Sequence, residues 1–295
     1  HFVLSGDRST LAFKAKAESF DVEITDITDD YGILALQGPK SRQVLESVTG
    51  EDWSDLKFSR IRTTTIANVE LAVTRTGFTG EHGYELWVQR EHGAAVWQAV
   101  AEAGQPFDIR PAGEYAIDIA RVEAGLILVS ADYAGAGPDK RSSSARVDES
   151  AVRTPYELGL GHCVKLDKPA DFIGKQALTD EYNAGSARET VGLEFDAREI
   201  VELFLDNGMA PDVSPRVRRG YLDLKSAKGE TVGCASSVTW SPTSKRLIGF
   251  GCVLSDFTAI GTTLTVQWAD IWGKLLGDAS AKIVEMPFID IHREN

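Results

Sequence analysis

The sequence predicts an α+β fold followed by a small antiparallel β-barrel. Three observations lead there. Between residues 31 and 104, short apolar strands alternate with segments of helical period. Past residue 188 the texture changes to short strands separated by turn residues. The chain is also long enough, at 295 residues and 43% hydrophobic, to bury more than one core. We place the boundary between an α+β region over 1–187 and a barrel domain over 188–295.

HFVLSGDRST reads as a strand edge, FVLS, running without a turn signal into a helical segment, TLAFKAKAESF, as expected where upstream sequence is missing. YGILALQGP is a strand stopped by Gly-Pro, and KSRQVLESVTG then sets Val44, Leu45 and Val48 at helical spacing before a terminal glycine. TTTIANVELAVTRTG reads as a hairpin with Asn68 in its turn, GYELWVQ as a strand alternating Tyr84, Leu86 and Val88, and EHGAAVWQAVAEAG as a helix ended by Gly104. A polar loop spans residues 138 to 153. TVGLEFD, RGYLDLKSAKGETVG, LIGFGCVL, GTTLTVQW and SAKIVEMPF supply the barrel strands.

Composition excludes several classes. A formal charge of −13 disfavours a nucleic-acid partner, and any anionic ligand needs a local basic pocket. With no run of eighteen apolar residues and no charged-then-apolar leader, the expectation is a soluble cytoplasmic protein without a membrane partner. Cys163, Cys234 and Cys252 are too few and too scattered for a disulfide framework or a thiolate metal site, so structural thiols and no metal are expected.

PAGEYAIDIARVEAG reads as a helix. At about 100° per residue, Glu114, Asp118 and Arg121 share one side, whereas Ala116, Ile119, Ala120 and Glu123 share the other. A carboxylate at position 123, on the apolar arc, must find partners or shift its pKa. Glu123 either pairs with Arg121 or caps a backbone amide, or it faces a cavity and accepts paired N–H donors from an amide-like or amidine-like heterocycle.

RVEAGL, LALQGPKSRQVL, RTGFTGEHGYELWV, PYELGLGHCVKLDKPADFIGKQAL and VGCASSVTWSP occur in the order in which they resemble the T-protein (aminomethyltransferase) family of the glycine cleavage system and its tetrahydrofolate-dependent relatives. The resemblance covers nearly the whole chain. It implies a cloverleaf of α+β folate-binding lobes plus the C-terminal antiparallel β-barrel, with tetrahydrofolate as cofactor in a central hole, and it makes residues 1–187 the folate-binding region. The glutamate of the R-x-E-A-G segment then matches Glu123 as the pteridine contact, with Arg121 beside it. The loop RTGFTGEHGYE would line the folate hole. There Phe78 stands where relatives commonly carry tyrosine, Tyr84 follows on the strand, and His82, in place of an acidic residue, reads as a solvated loop side chain without a role. Lys168 matches an arginine that helps hold the folate; it keeps the charge without the bidentate fork, and Lys165 is the substitute. FIGKQAL reads as a strand-to-helix junction. Trp240 and Pro242 mark a barrel turn, where Trp240 serves as interface core or as a stacking face for the ligand. GLG and GAGPDK match neither the dinucleotide nor the Walker phosphate loop.

The family's catalytic aspartate is expected upstream of residue 1, so no catalytic residue is assigned. Asp26, Asp29 and Asp30 come after that position and read as turn residues. The reaction implied is transfer of a methyl or aminomethyl unit to tetrahydrofolate, assisted by a carboxylate and by exclusion of water. The polar loop and the VKLDK segment point to a small-molecule donor, as in demethylases, ahead of a lipoyl carrier protein. The alternatives are a non-catalytic folate-binding regulatory or assembly module, and the folate domain of a larger amine oxidase.

Overall fold

A computed structural model describes residues 8–134, 151–213 and 216–291. The chain divides into two compact units. Residues 11–126, with the segment from Asp290, form one; residues 127–289 belong to the other. Residues 127–134 and 151–187, grouped by sequence with the amino-terminal region, thus fall in the same unit as the barrel. A short helix, α1 (Arg8–Ala17), occupies the expected TLAFKAKAESF segment; FVLS lies outside the described residues.

The first unit is built on a four-stranded antiparallel sheet of β1 (Tyr31–Gln37), β2 (Ile61–Ile66), β3 (Val69–Thr74) and β4 (Gly83–Gln89), in the order β1-β4-β3-β2. Period-two burial is clearest in β4, where Tyr84, Leu86 and Val88 have no exposed surface. Ala67 and Asn68 both adopt positive φ, 52° and 62°, which matches the hairpin's turn to the twist of its strands. Helices α2 (Ser41–Thr49) and α3 (Gly93–Gly104) pack on this sheet, burying Val44, Leu45, Val96 and Val100 against its apolar face. Gly50 ends α2 in the left-handed region, its N–H returned to the Glu46 carbonyl. α4 (Glu114–Glu123) follows.

The second unit holds α5 (Lys175–Ala184), β5 (Arg188–Phe195), α6 (Ala197–Asp206), β6 (Leu222–Lys225), β7 (Thr231–Ser241), β8 (Arg246–Leu254), β9 (Thr263–Ala269) and β10 (Leu275–Val284). Its six strands close into an antiparallel barrel in the order β10-β5-β8-β7-β6-β9, every expected strand segment contributing. Two expectations change. FIGKQAL has no strand: a turn through left-handed Gly174 leads directly into α5. And α6 interrupts a region read as strands throughout. Asp196 caps it, its Oδ1 accepting the N–H groups of Arg198 (2.9 Å) and Glu199 (3.1 Å), while Ile200 and Phe204, four residues apart, enter the barrel core.

The Ile127–Ala134 segment is held to the barrel through Asp132. Its Oδ2 accepts Leu128 N–H at 2.8 Å, and its Oδ1 accepts the hydroxyls of Ser236 (2.7 Å) and Ser237. Nearby, Arg153 Nη2 donates to Cys234 Sγ at 3.5 Å, and Cys234 is the register partner of Cys252 across β7 and β8. Burial raises both thiols, Cys252 to about 11, so they are neutral packing groups. Most of the predicted polar loop, residues 138–150, lies outside the described residues, as does GAGPDK. Among the described residues no helix is long and apolar enough to cross a membrane.

Candidate functional site

Two motifs far apart in sequence close on one another in the first unit. LALQGP ends β1 with Gln37, and RTGFTGEHGYE links β3 to β4. The Gln37 amide donates to the Thr76 carbonyl at 3.2 Å and the Tyr84 carbonyl at 3.0 Å, and accepts Thr79 Oγ1 at 3.4 Å. The loop therefore wraps a single side chain. A Cβ on Gly77 or Gly83 would lie 1.8 or 2.1 Å from Gln37 Oε1, so a larger residue at either position would displace the Gln37 amide from the loop. The His82 carbonyl accepts Gly38 N–H (2.8 Å) and the buried Ser41 hydroxyl (3.1 Å) at the start of α2.

Gly80, at φ 80°, seats the loop on the end of α4: its Cβ would stand 2.4 Å from that of Ala124. Glu81 and Glu123 are the immediate neighbours of these touching residues. Beside the loop, Phe58, Arg75, Thr76, Gly77, Glu81, His82 and Gly83 line a small cleft, about 10 Å³ and partly open to solvent. One carboxylate oxygen of Glu81, Oε2, is buried without a hydrogen-bond partner among the described residues. An orphaned buried acceptor is costly, and one on a cleft wall is an opening for a donor-bearing ligand.

Beneath the loop, His82 Nε2 lies 3.0 Å from Tyr84 Oη and Nδ1 lies 3.3 Å from Arg75 Nη2, while Arg75 Nη1 donates to the Leu56 carbonyl at 3.0 Å. A guanidinium can only donate, so Nδ1 accepts and the proton sits on Nε2, directed at Tyr84. Burial, then the charges of Arg75 and Arg42, hold His82 below its ordinary 6.5. The reading of His82 as a solvated loop side chain is thus corrected: it is 8% exposed and doubly bonded.

The other expected site residues differ in burial. Tyr84 has no exposed surface, its ring set edge-to-face against Trp53 at 6.1 Å and its phenol raised by burial. Arg121 is also fully buried. Its Nε donates to Asp118 Oδ1 at 2.9 Å and its Nη1 to the Leu126 carbonyl at 3.2 Å, which ties the end of α4 to the following turn. The expected division of α4 into a charged and an apolar side gives way to one along its axis: Glu114 is exposed, whereas Asp118, Ile119, Arg121, Val122 and Glu123 are buried. Glu123, 5% exposed, stays in an enclosed setting. Phe78 is half-buried on the loop. Lys168 and Trp240 belong to the second unit. Lys168 is exposed, as is Lys165, and the Lys168 carbonyl accepts Lys175 Nζ at 2.8 Å; Trp240 sits on β7, half-buried against the barrel core. Sequence reading missed Gln37 and Glu81. The available signal for Glu81 was a carboxylate in a loop tightened by three glycines. Among the described residues, no group of three or more His, Cys, Asp or Glu side chains is placed to hold a metal ion.

Comparison with known proteins agrees with this arrangement of motifs. Residues 4–137 match the model of the GCVT N-terminal domain, and residues 188–290 that of the glycine cleavage T-protein C-terminal barrel domain. An aminomethyltransferase of Geobacillus sp. (strain WCH70) is 36% identical over 269 residues, 91% of this chain and 63% of the relative. Another, from Caldanaerobacter subterraneus subsp. tengcongensis, is 35% identical over 248 residues, 84% of this chain and 57% of the relative. The chain therefore spans less than two thirds of the length of these relatives. The crystal structure of glycine cleavage system aminomethyltransferase T from Bartonella henselae shares the fold, with a TM-score of 0.69 at 22% identity over 95% of this chain and 65% of that one. Across its amino-terminal and barrel segments alike, the chain belongs to the glycine cleavage T-protein family.

Proposed function

We propose that the protein transfers a one-carbon unit, aminomethyl or methyl, to tetrahydrofolate, and that the loop carrying Glu81 and the buried end of α4 carrying Glu123 hold the pteridine. The observation that carries this reading is the orphaned Oε2 of Glu81 on the cleft wall. An ionised carboxylate only accepts, and two adjacent oxygens match the paired N–H groups of an aminopyrimidinone edge. Glu81 thus supplies acceptors of the kind that edge requires. Phe58 lines the same cleft and offers an apolar face to a flat ring.

When bound, tetrahydrofolate supplies the nitrogen nucleophile that accepts the carbon. The chain's own part is to orient and to dehydrate. Gln37 fixes the loop backbone, Gly80 brings it against Ala124, and Glu81 and Glu123 together set the ring's register. For the donor, an aminomethyl compound is the first choice, since the similar proteins from Geobacillus and Caldanaerobacter are named aminomethyltransferases. A small methylated compound is the second.

Calorimetric titration of tetrahydrofolate under reducing conditions into the full-length protein, Glu81→Gln and Glu123→Gln tests the reading. Loss of a hydrogen bond to a charged group should weaken binding by about 10- to 100-fold in each variant. Equal affinities in parent and both variants would refute this placement of the pteridine.

A further inference from the structure

We propose that His82 is a positioning residue for this site: its neutral imidazole, bridging Arg75 and Tyr84, holds the Gly77–Gly83 loop in the conformation that presents Glu81, and ligand binding is lost when the ring is protonated. The proposal rests on the folate reading of the cleft for its ligand and on bond geometry for its mechanism. His82 is the next residue after Glu81, and both line the same cleft with Arg75. Its carbonyl accepts from Gly38 and Ser41, and its ring lies between Arg75 Nη2 and Tyr84 Oη. In that place Nδ1 must accept. A proton added there would set two cations face to face at 3.3 Å in a buried setting and remove the bond that anchors Arg75.

The charged and titratable groups around the ring are Arg75 and Glu81 of the loop, Tyr84 of β4, Arg42 and Glu46 of α2, and Arg62 of β2. Arg75 and Arg42 oppose protonation of the ring, as does burial. The sign follows. A histidine whose folded pKa lies below its unfolded one contributes stability that is complete above the ordinary 6.5 and lost as pH falls through the folded value. Loop order and ligand binding therefore fail on the acid side of 6.5 and are constant on the alkaline side. Arg75, fixed to Leu56 by its other nitrogen, makes the failure local to the loop and the cleft wall.

The test is tetrahydrofolate binding from about pH 5 to about pH 8 by the full-length protein and by His82→Gln, whose amide can accept from Arg75 and does not titrate. The parent's dissociation constant should rise about tenfold per pH unit below the folded value, because only the neutral fraction binds. His82→Gln should bind with a flat profile over the same range. A flat parent profile, or an acid loss retained in His82→Gln, would overturn the proposal. A ligand-free measurement guards against a variant that does not fold. In the parent labelled with nitrogen-15, His82 should show an unprotonated Nδ1 and a protonated Nε2, and the Gly80 and Glu81 amides should shift with its titration. The opposite tautomer, or loop amides unmoved by that titration, sinks the positioning role whatever binds. If the tautomer and loop response are found but tetrahydrofolate binds at no pH, the folate reading falls and the loop clamp stands.

Discussion

Glu81 and Glu123 flank the contact between Gly80 and Ala124, and the two carboxylates were not equally visible beforehand. A charge among apolar residues of a helical pattern stands out, and Glu123 is indeed buried. Glu81 sits among glycines, where residue type says nothing about enclosure, and its Oε2 is buried in the folded protein. His82 was misread for the same reason, since its partners Arg75 and Tyr84 are assembled by the hairpin and leave no mark on the residue itself. At this scale a further outcome can be checked. Asp118→Ala strips a carboxylate from the fully buried Arg121 guanidinium and should destabilise the protein by about 3 kcal/mol in urea denaturation.

Elements carry the next level. The β3–β4 loop explains why LALQGP and RTGFTGEHGYE belong together: one supplies the amide that the other encloses. Gly83→Ala should cost about 1–3 kcal/mol by overpacking against Gln37, and most of that cost should vanish in a Gln37→Gly background. A denaturation cycle over the four proteins reads this directly; additive effects would mean that Gln37 is not what restricts Gly83. Period-two and helical patterns made most strands and α2 and α3 legible, because each buries one face over a continuous run. α6 escaped notice because it sits between barrel strands, in a stretch where the expected texture was β. Its cap is testable: Asp196→Ala should lower stability by about 1 kcal/mol, measured by thermal unfolding, with loss of helical signal confined to α6.

The whole molecule shows where pattern reading ends. The barrel could be inferred from strand spacing, since closure is one of few ways to satisfy six short strands. The association of residues 127–134 with that barrel could not, for it depends on Asp132 reaching Ser236 and Ser237 more than a hundred residues away. Family membership follows from the full set of motifs and from similarity to the aminomethyltransferases, whose lengths this chain spans in part. The site, by contrast, rests on a few atoms in one unit. The most direct measurement is a crystal structure of the full-length protein with tetrahydrofolate bound. The aminopyrimidinone edge should lie within about 3 Å of the Glu81 carboxylate, its donors satisfying Oε2. Tetrahydrofolate seated elsewhere, with Glu81 Oε2 still unbonded, would contradict it.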